Sequence, residues 1–355
     1  MKALILCGGK GTRLLPLTRN IPKQLLPIAN KPILFYLLEQ IKEAGIADIG
    51  IVVCPDTGGK IKEAVADGSR WGIDITCINQ PEPLGLAHAV TMARDFLGED
   101  DFLMLLGDNL IECNIKELIN RFHTDKADAL ISLKEVADPR QFGVAEVDDK
   151  GNVIRLTEKP RQPKSRLAIA GVYIFTPEIH RVIAGISPSW RGELEITDAI
   201  QKLVETGGKV TGYNLQGWWF DIGTREGLLR ANGAFLDTCI KADIKGTLDE
   251  KSRVSGNVAI GQGAEVIDSI INGPVSIDEN CRIKNSVIGP YASIGDGVMI
   301  EGSAVEHSII MAGCHIYNTR PLCNSVIGSD TEIAAKGKTS GNVELFTGGC
   351  ERIEL

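Results

Sequence analysis

Beyond about residue 240 an aliphatic residue returns at steps of six, sometimes five, and no other feature constrains the fold as tightly. Val254, Ile260, Val266, Ile271, Ile277, Ile283, Ile288, Ile294, Ile300, Val305, Ile310, Ile316, Leu322, Ile327 and Ile333 follow one another in this way. Many precede a glycine or a small polar turn, as in Ile260-Gly261-Gln262-Gly263, Ile294-Gly295-Asp296-Gly297 and Val326-Ile327-Gly328-Ser329. A very short strand can turn one aliphatic inward, and the tight turn after it needs small residues. One coil of this kind is not stable alone, so the stack forms as a unit. The period predicts a parallel β-helix; a sandwich would show longer strands with alternate residues exposed. The ladder is expected to end by about Ile333.

The first 238 residues read differently. Strand-like segments at Ala3–Cys7, Gly50–Cys54, Ile73–Ile78 and Phe102–Leu106 alternate with helical ones. Leu34, Leu37, Leu38 and Ile41 fall on one helical face, as do Ile115, Leu118, Ile119 and Phe122. Such alternation predicts an α/β domain with a Rossmann-like, mostly parallel sheet, in which ligands bind beyond the carboxyl ends of the strands. Thr224 to Asp237 reads as a connecting helix. Two domains are therefore expected, 1–238 and 239–355.

Gly8-Gly9-Lys10-Gly11-Thr12-Arg13-Leu14 follows the first strand. Its glycines would let backbone N–H groups reach a phosphate with no Cβ in the way. A dinucleotide fingerprint spaced from Gly9 would want glycine where Leu14 stands, and an acidic residue ~20 positions on; none comes before Glu39. A P-loop would want Gly-Lys-Ser/Thr after four spacers, which is absent. Residues 1 to 38 contain no Asp or Glu but hold Lys2, Lys10, Arg13, Arg19, Lys23 and Lys31. An even spread would place about five acids there, so this clearance in a chain of net charge −8 points to a polyphosphate site.

The same loop, with Pro22-Lys23-Gln24-Leu25-Leu26-Pro27, resembles nucleotidyltransferases that make nucleoside-diphosphate sugars. Gln80-Pro81, Gly85-Leu86-Ala87-His88, Leu106-Gly107-Asp108-Asn109, Glu158-Lys159-Pro160, Arg191-Gly192-Glu193-Leu194-Glu195-Ile196-Thr197-Asp198 and Trp219-Phe220-Asp221-Ile222-Gly223-Thr224 continue the likeness in order. Together they resemble the glucose-1-phosphate thymidylyltransferase family over two thirds of the chain, and the repeat region is similar to that family's longer branch. It also resembles the left-handed β-helix of hexapeptide-repeat acyltransferases.

The resemblance implies attack by a sugar-1-phosphate oxygen on the α-phosphorus of dTTP, with Mg²⁺ as cofactor and pyrophosphate leaving. That displacement needs alignment and charge neutralisation more than covalent chemistry. Arg13 and Lys23 would neutralise phosphates, with Gly8, Gly9, Gly11 and Thr12 donating backbone hydrogen bonds. Asp108 ends an apolar strand as a hard oxygen ligand, its alternative being a helix N-cap; the resemblance pairs it with Asp221 at the metal. Gln24 and Gln80 would read a pyrimidine edge, near Gly85. Lys159 and Arg191 would hold the sugar's phosphate and Glu158 its hydroxyls, with Asn109, Gly143, Ile169 and Gly171 around the sugar. Trp218 and Trp219 either wall the sugar pocket or pack in the core. Phe142 stands where the family often has Tyr, and Leu84 and His88 also depart from it, so substrate choice is where this chain would differ. UTP or another sugar-1-phosphate, a non-catalytic scaffold, and an acetyltransferase built on His307 or His315 are the competing readings.

Nucleic acid and membranes are not expected as partners: the chain is acidic, with a sequence pI of about 5.3, and no apolar run approaches a membrane span. Nine scattered cysteines lack zinc-site spacing and read as reduced core thiols of a cytoplasmic protein. The flat sides of a β-helix favour a homo-oligomer.

Overall fold

A computed structural model describes residues 1–335 and 341–355. The strands before the repeats are β1 (Lys2–Cys7), β2 (Pro27–Ile28), β3 (Lys31–Pro32), β4 (Asp48–Val53), β5 (Asp74–Asn79), β6 (Phe102–Leu106), β7 (Asn109–Ile111), β8 (Ala129–Glu135), β9 (Gly143–Val147), β10 (Val153–Glu158), β11 (Leu167–Phe175), β12 (Val210–Asn214) and β13 (Trp219–Asp221). The helices are α1 (Ile33–Glu43), α2 (Pro55–Val65), α3 (Leu86–Met92), α4 (Arg94–Leu97), α5 (Ile115–Asp125), α6 (Glu178–Ile183), α7 (Ile196–Glu205) and α8 (Arg225–Cys239). The chain forms two compact units, Met1–Lys10 with Leu34–Asp221, and Gly11–Ile33 with Ile222–Leu355.

In the first unit a nine-stranded sheet runs β10-β9-β11-β6-β1-β4-β5, with β8 joined to β11 and β12 to β8. Strands β6, β1, β4 and β5 are parallel neighbours, as the alternating pattern predicts. Strand β11 runs antiparallel to β6, β8 and β9, and β10 antiparallel to β9. Every other strand of the sheet points the same way, so it is mostly parallel. Leu4 and Leu6 of β1 lie in a core with Ala87, Val90, Ile179, Val182, Ile196 and Ile200 from α3, α6 and α7. Ala3, Ile5 and Cys7 alternate to the opposite face and are equally buried. Both faces are therefore covered, and the continuous apolar run of β1 follows from that. Leu34, Leu37, Leu38 and Ile41 of α1 are buried together, as their spacing requires.

The repeats of the second unit form a left-handed parallel β-helix with three sheets, one per side. Ile260, Ile277, Ile294, Ile310 and Ile327 stand in register on the first side. Val266, Ile283, Ile300, Ile316 and Ile333 do so on the second, and Val254, Ile271, Ile288, Val305 and Leu322 on the third. Most coils take two steps of six and one of five, and the coil from Ile294 to Ile310 takes one of six and two of five, which explains the mixed period. These aliphatics and the thiols of Cys281 and Cys314 make one core. The expected end at Ile333 is too early: Ile333 pairs on with Ile353 of the strand Arg352–Glu354, whose partner lies some twenty residues away and so breaks the period.

Serines make a second ladder beside the aliphatics. The N–H of Ser269 donates to the Ser252 hydroxyl, Ser286 to Ser269, Ser303 to Ser286 and Thr319 to Ser303. Residues Gly11–Ile33 belong to the same unit as this stack. They form three one-turn helices, Thr12–Leu14, Leu17–Arg19 and Lys23–Leu25, then the β2–β3 hairpin. Helix α8 also belongs there, its N-terminus capped by the Thr224 hydroxyl, which accepts from the Gly227 N–H at 3.1 Å.

The nine cysteines are all free thiols; Cys7, Cys54, Cys281, Cys314 and Cys323 are buried, whereas Cys239 and Cys350 are exposed rather than in the core. Among the described residues no helix is long and apolar enough to cross a membrane.

Candidate active site

The expected site residues fall on both units, each group on loops and strand ends. In the first unit β1 runs out at Cys7 into Gly8 and exposed Gly9. Gly8 is a close approach: a Cβ there would sit 2.5 Å from Oε1 of Gln80. Gln80 is buried, and its amide nitrogen donates to the Gly85 carbonyl at 3.2 Å and faces His88 Nδ1 at 3.0 Å. Its donor side is thus turned toward the turn that opens α3, and its oxygen toward Gly8. His88 lies within α3 as an ordinary helix residue.

Strand β6 ends at Leu106, and Gly107 and Asp108 lead directly into β7. The helix-cap alternative for Asp108 is excluded, since Asn114 caps the next helix instead, accepting from the Glu117 N–H. Strand β7 pairs antiparallel with β13, which sets Asp221 opposite Asn109 and one position from Asp108. Buried Asn109 donates to Asp108 Oδ1 at 3.0 Å and accepts from Trp219 Nε1 at 2.6 Å. The ring of Trp219 lies 4.9 Å from that of Phe142, so this tryptophan fixes the Asn109 amide that meets Asp108. Carboxylates carried at adjacent positions of this register would offer hard oxygens suited to Mg²⁺, an ion that keeps several waters. Among the described residues no three His, Cys, Asp or Glu side chains gather as a fuller metal cage.

A bulge in β11 shapes the wall behind them. Ile169 opposes Leu133 and Tyr173 opposes Ile131, so β11 spends four residues where β8 spends two. The Ser132 hydroxyl accepts the Val172 N–H at 3.1 Å and repairs the broken ladder. Gly171, within the bulge, has φ +79°, and a Cβ there would press on Asn109 at 3.1 Å. Only glycine serves both demands.

The third group lies at the end of β10. Gly143 pairs with Glu158, with the Thr197 methyl and Ile169 closing round it. Glu158 accepts from the Thr197 hydroxyl at 3.1 Å and lies 3.8 Å from Lys159 Nζ and 3.6 Å from Arg191. Burial and the neighbouring Glu195 push the Glu158 carboxyl above its ordinary range, against the opposing pull of Lys159, Thr197 and Arg191. Arg191, expected on a phosphate, is held here by carboxylates, 2.8 Å from Glu193 and 3.2 Å from Glu195. Lys159 itself has φ +41°, a left-handed backbone that a β-strand end does not require. The sequence reading missed Thr197 and Glu195 as parts of this cluster, although both stand within the motif that begins at Arg191.

In the second unit Thr12 opens the first short turn and Arg13 is exposed on it, its guanidinium against Gly223. The Thr18 hydroxyl donates to the Gly11 carbonyl at 2.8 Å, and Lys23 begins the third turn. Gln24 is 1% exposed, and neither its amide nitrogen nor its oxygen has a hydrogen-bond partner. A buried amide without partners costs about 1–3 kcal/mol. Gln24 thus keeps both of its hydrogen-bonding groups unspent in the interior, whereas the amide nitrogen of Gln80 is engaged by Gly85 and His88.

The sequence matches the nucleotidyl transferase family over residues 2–238. It is 48% identical over 356 residues to the glucose-1-phosphate thymidylyltransferase of Streptomyces antibioticus, covering 100% of this chain and 99% of that protein. The Streptomyces griseus protein of the same name is 45% identical over 355 residues, with the same coverage. Among solved structures, a UDP-glucose pyrophosphorylase complexed with UDP-glucose superposes with a TM-score of 0.60 at 27% identity, covering 66% of this chain and 98% of that one.

Proposed function

Since the chain belongs to the nucleotidyl transferase family, we propose that it forms dTDP-glucose and pyrophosphate from dTTP and glucose-1-phosphate. The full-length Streptomyces relatives carry that activity in their names, and their near-complete coverage supports the transfer. The observation that carries the chemistry is the register of β7 with β13, which sets Asp221 opposite Asn109 and so one residue from Asp108 at the end of β6.

A phosphate oxygen of the sugar-1-phosphate attacks the α-phosphorus, the bond from that phosphorus to the bridging oxygen of the β-phosphate breaks, and pyrophosphate leaves. Mg²⁺, held by Asp108 and Asp221, would supply positive charge to the phosphates during this displacement. Arg13 and Lys23 neutralise the α-phosphate and the departing group, and the N–H groups of Gly8, Gly9, Gly11 and Thr12 fix them. Gln24, with Gln80 and Gly85 beside the nucleotide, takes the pyrimidine edge. Lys159 takes the sugar's phosphate. Glu158, with Asn109, Gly143, Ile169 and Gly171, takes the sugar hydroxyls, and Arg191 keeps Glu158 in place while reaching the same phosphate. No general base is assigned, since phosphate oxygens at neutral pH are already ionised. The reading also takes the protein as a cytoplasmic homo-oligomer with its domain boundary at 238/239; light scattering on the purified protein checks the assembly.

Pyrophosphate release is the test, over dTTP, UTP, GTP, CTP and ATP against several sugar-1-phosphates. Strong release with dTTP and glucose-1-phosphate, abolished by EDTA, is the expected result. Preference for UTP or another sugar would retain the mechanism and overturn the substrate. No release with any pair would promote a non-catalytic scaffold.

A further inference from the structure

We propose that Asn30 and Asn232 are positioning residues, which latch the loop carrying Arg13 and Lys23 onto the β-helix and so tie transfer to that stack. The inference rests on the reading of Arg13 and Lys23 as phosphate ligands. All of its contacts lie within the second unit.

The loop ends in the β2–β3 hairpin, whose two turn residues, Ala29 and Asn30, have φ of +45° and +66°. Left-handed values at both positions make a type I′ turn, for which Asn is suited and Ala is not. The strained turn is held on each residue. The Ala29 N–H donates to Asn232 Oδ1 at 2.9 Å, and the Asn30 amide donates to the Ser276 carbonyl, the Ser276 hydroxyl and the Ile294 carbonyl at 3.2, 3.1 and 2.9 Å. Those acceptors belong to successive coils on the first side of the β-helix. Asn232, on α8 and 1% exposed, accepts a second bond on the same oxygen from the Ser293 hydroxyl at 2.7 Å. One buried amide oxygen thus joins the hairpin, the connecting helix and a coil. The hairpin follows the turn that begins at Lys23 by two residues.

A residue that merely adds stability would leave turnover unchanged below the unfolding temperature. A latch that sets the loop would not, because a shift of about 1 Å in a charge-neutralising group costs on the order of 10²-fold in rate. Three full-length variants separate the cases. Asn232→Ala deletes the shared acceptor, and Asn232→Asp restores it. Asn30→Gly keeps the left-handed turn while deleting the amide, which frees its acceptors on Ser276 and Ile294 without opening a cavity at the half-buried position itself. Expected are a fall in kcat of roughly 10- to 100-fold for Asn232→Ala and Asn30→Gly, an unchanged KM for sugar-1-phosphate, and partial recovery in Asn232→Asp. Amide hydrogen exchange across residues 11–33 should quicken in the two deleting variants and not in Asn232→Asp. A lowered Tm with kcat and exchange unchanged would overturn the inference. If the wild-type chain releases no pyrophosphate with any pair, the functional reading fails instead, and the exchange arm alone decides the latch.

Discussion

The β-helix and the α/β unit each bury an apolar core and each hold left-handed non-glycine residues, yet in the β-helix these recur from coil to coil, as at Asp268 and Asn285 or His307 and Asn324, and in the α/β unit they stand singly. In the β-helix each coil repeats the last: an aliphatic behind an aliphatic, a serine hydroxyl behind a serine N–H. In the α/β unit the regular parts are β1, β4, β5 and β6. The departures from them crowd the strand ends: the β11 bulge, Gly171, the φ of Lys159, and Glu158 beside Glu195. A polypeptide tolerates strain and like charge only where the surrounding core over-determines the position. The difference teaches where to look for chemistry, and it separates mutations that disable from mutations that loosen.

The largest expected effect sits at the irregular end. Asp108→Asn keeps the size and the hydrogen bond toward Asn109 but removes a charged oxygen next to Asp221. Turnover should fall on the order of 10³-fold, comparable to removing one preorganised charge-stabilising group. Circular dichroism and Tm should stay near wild type. A variant that keeps a tenth of the activity would break the comparison, since the site would then tolerate what its strain was said to protect.

In the regular unit the largest effect should be on stability alone. Ile300 is 1% exposed, between Ile283 and Ile316 in the middle of the second ladder. Ile300→Ala should cost about 2–5 kcal/mol, through lost burial and the cavity left in a stack that cannot close over it. Denaturant unfolding followed by circular dichroism measures this, with kcat at low temperature as the control. A loss under about 1 kcal/mol would mean that the stack collapses locally and is less of a unit than its repeat implies.

The two units also differ in what the sequence disclosed. Period alone gave the β-helix, because every coil obeys one rule; the rule lapsed where the partner of Ile333 comes from Ile353 instead of the next step. In the α/β unit the apolar runs predicted β1 and β6, and helix spacing predicted α1 and α5. No local pattern announces that β11 turns antiparallel to β6, since a strand buried on both faces looks alike in either direction. At the site, the motifs led to Asp108, Asp221 and Glu158, which adjoin glycines or end apolar strands. Thr197 and Ser132 were illegible because their roles depend on residues 39 and 40 positions away. Asn232 is hidden for the same reason, its partners lying 203 and 61 positions off along the chain.

A moderate effect should appear with opposite signs in stability and activity at Glu158. Burial raises its pKa, so the folded chain binds the proton more tightly than the unfolded chain does. Stability then falls as pH rises from the ordinary carboxylate range through the raised folded value. Glu158→Gln removes that loss. The variant should be as stable as wild type or less so near pH 4, and gain on it as pH rises toward neutrality. KM for the sugar-1-phosphate should meanwhile rise roughly tenfold, the loss of one charged hydrogen-bond acceptor. A difference in Tm that does not grow with pH would show that Lys159 and Arg191 fully compensate the charge.

The smallest effect tests whether the serine ladder contributes beyond filling space. Ser286 donates through its hydroxyl to the Lys284 carbonyl at 2.7 Å and accepts the Ser303 N–H at 3.2 Å. Ser286→Ala removes both bonds and leaves a buried N–H without its side-chain acceptor, while the strand pairing of Val287 with Ala304 remains available. The cost should be about 1 kcal/mol, near the net worth of a protein hydrogen bond, because part of the loss is recovered as apolar burial of the methyl group. Kinetics should not move at all. A cost as large as that of Ile300→Ala would make the hydroxyls, rather than the aliphatics, the element that sets coil spacing. The regular unit would then be held by the same kind of polar network as the site, and the contrast between the two would lie only in whether left-handed backbone recurs with the coil or stands singly, as at Lys159.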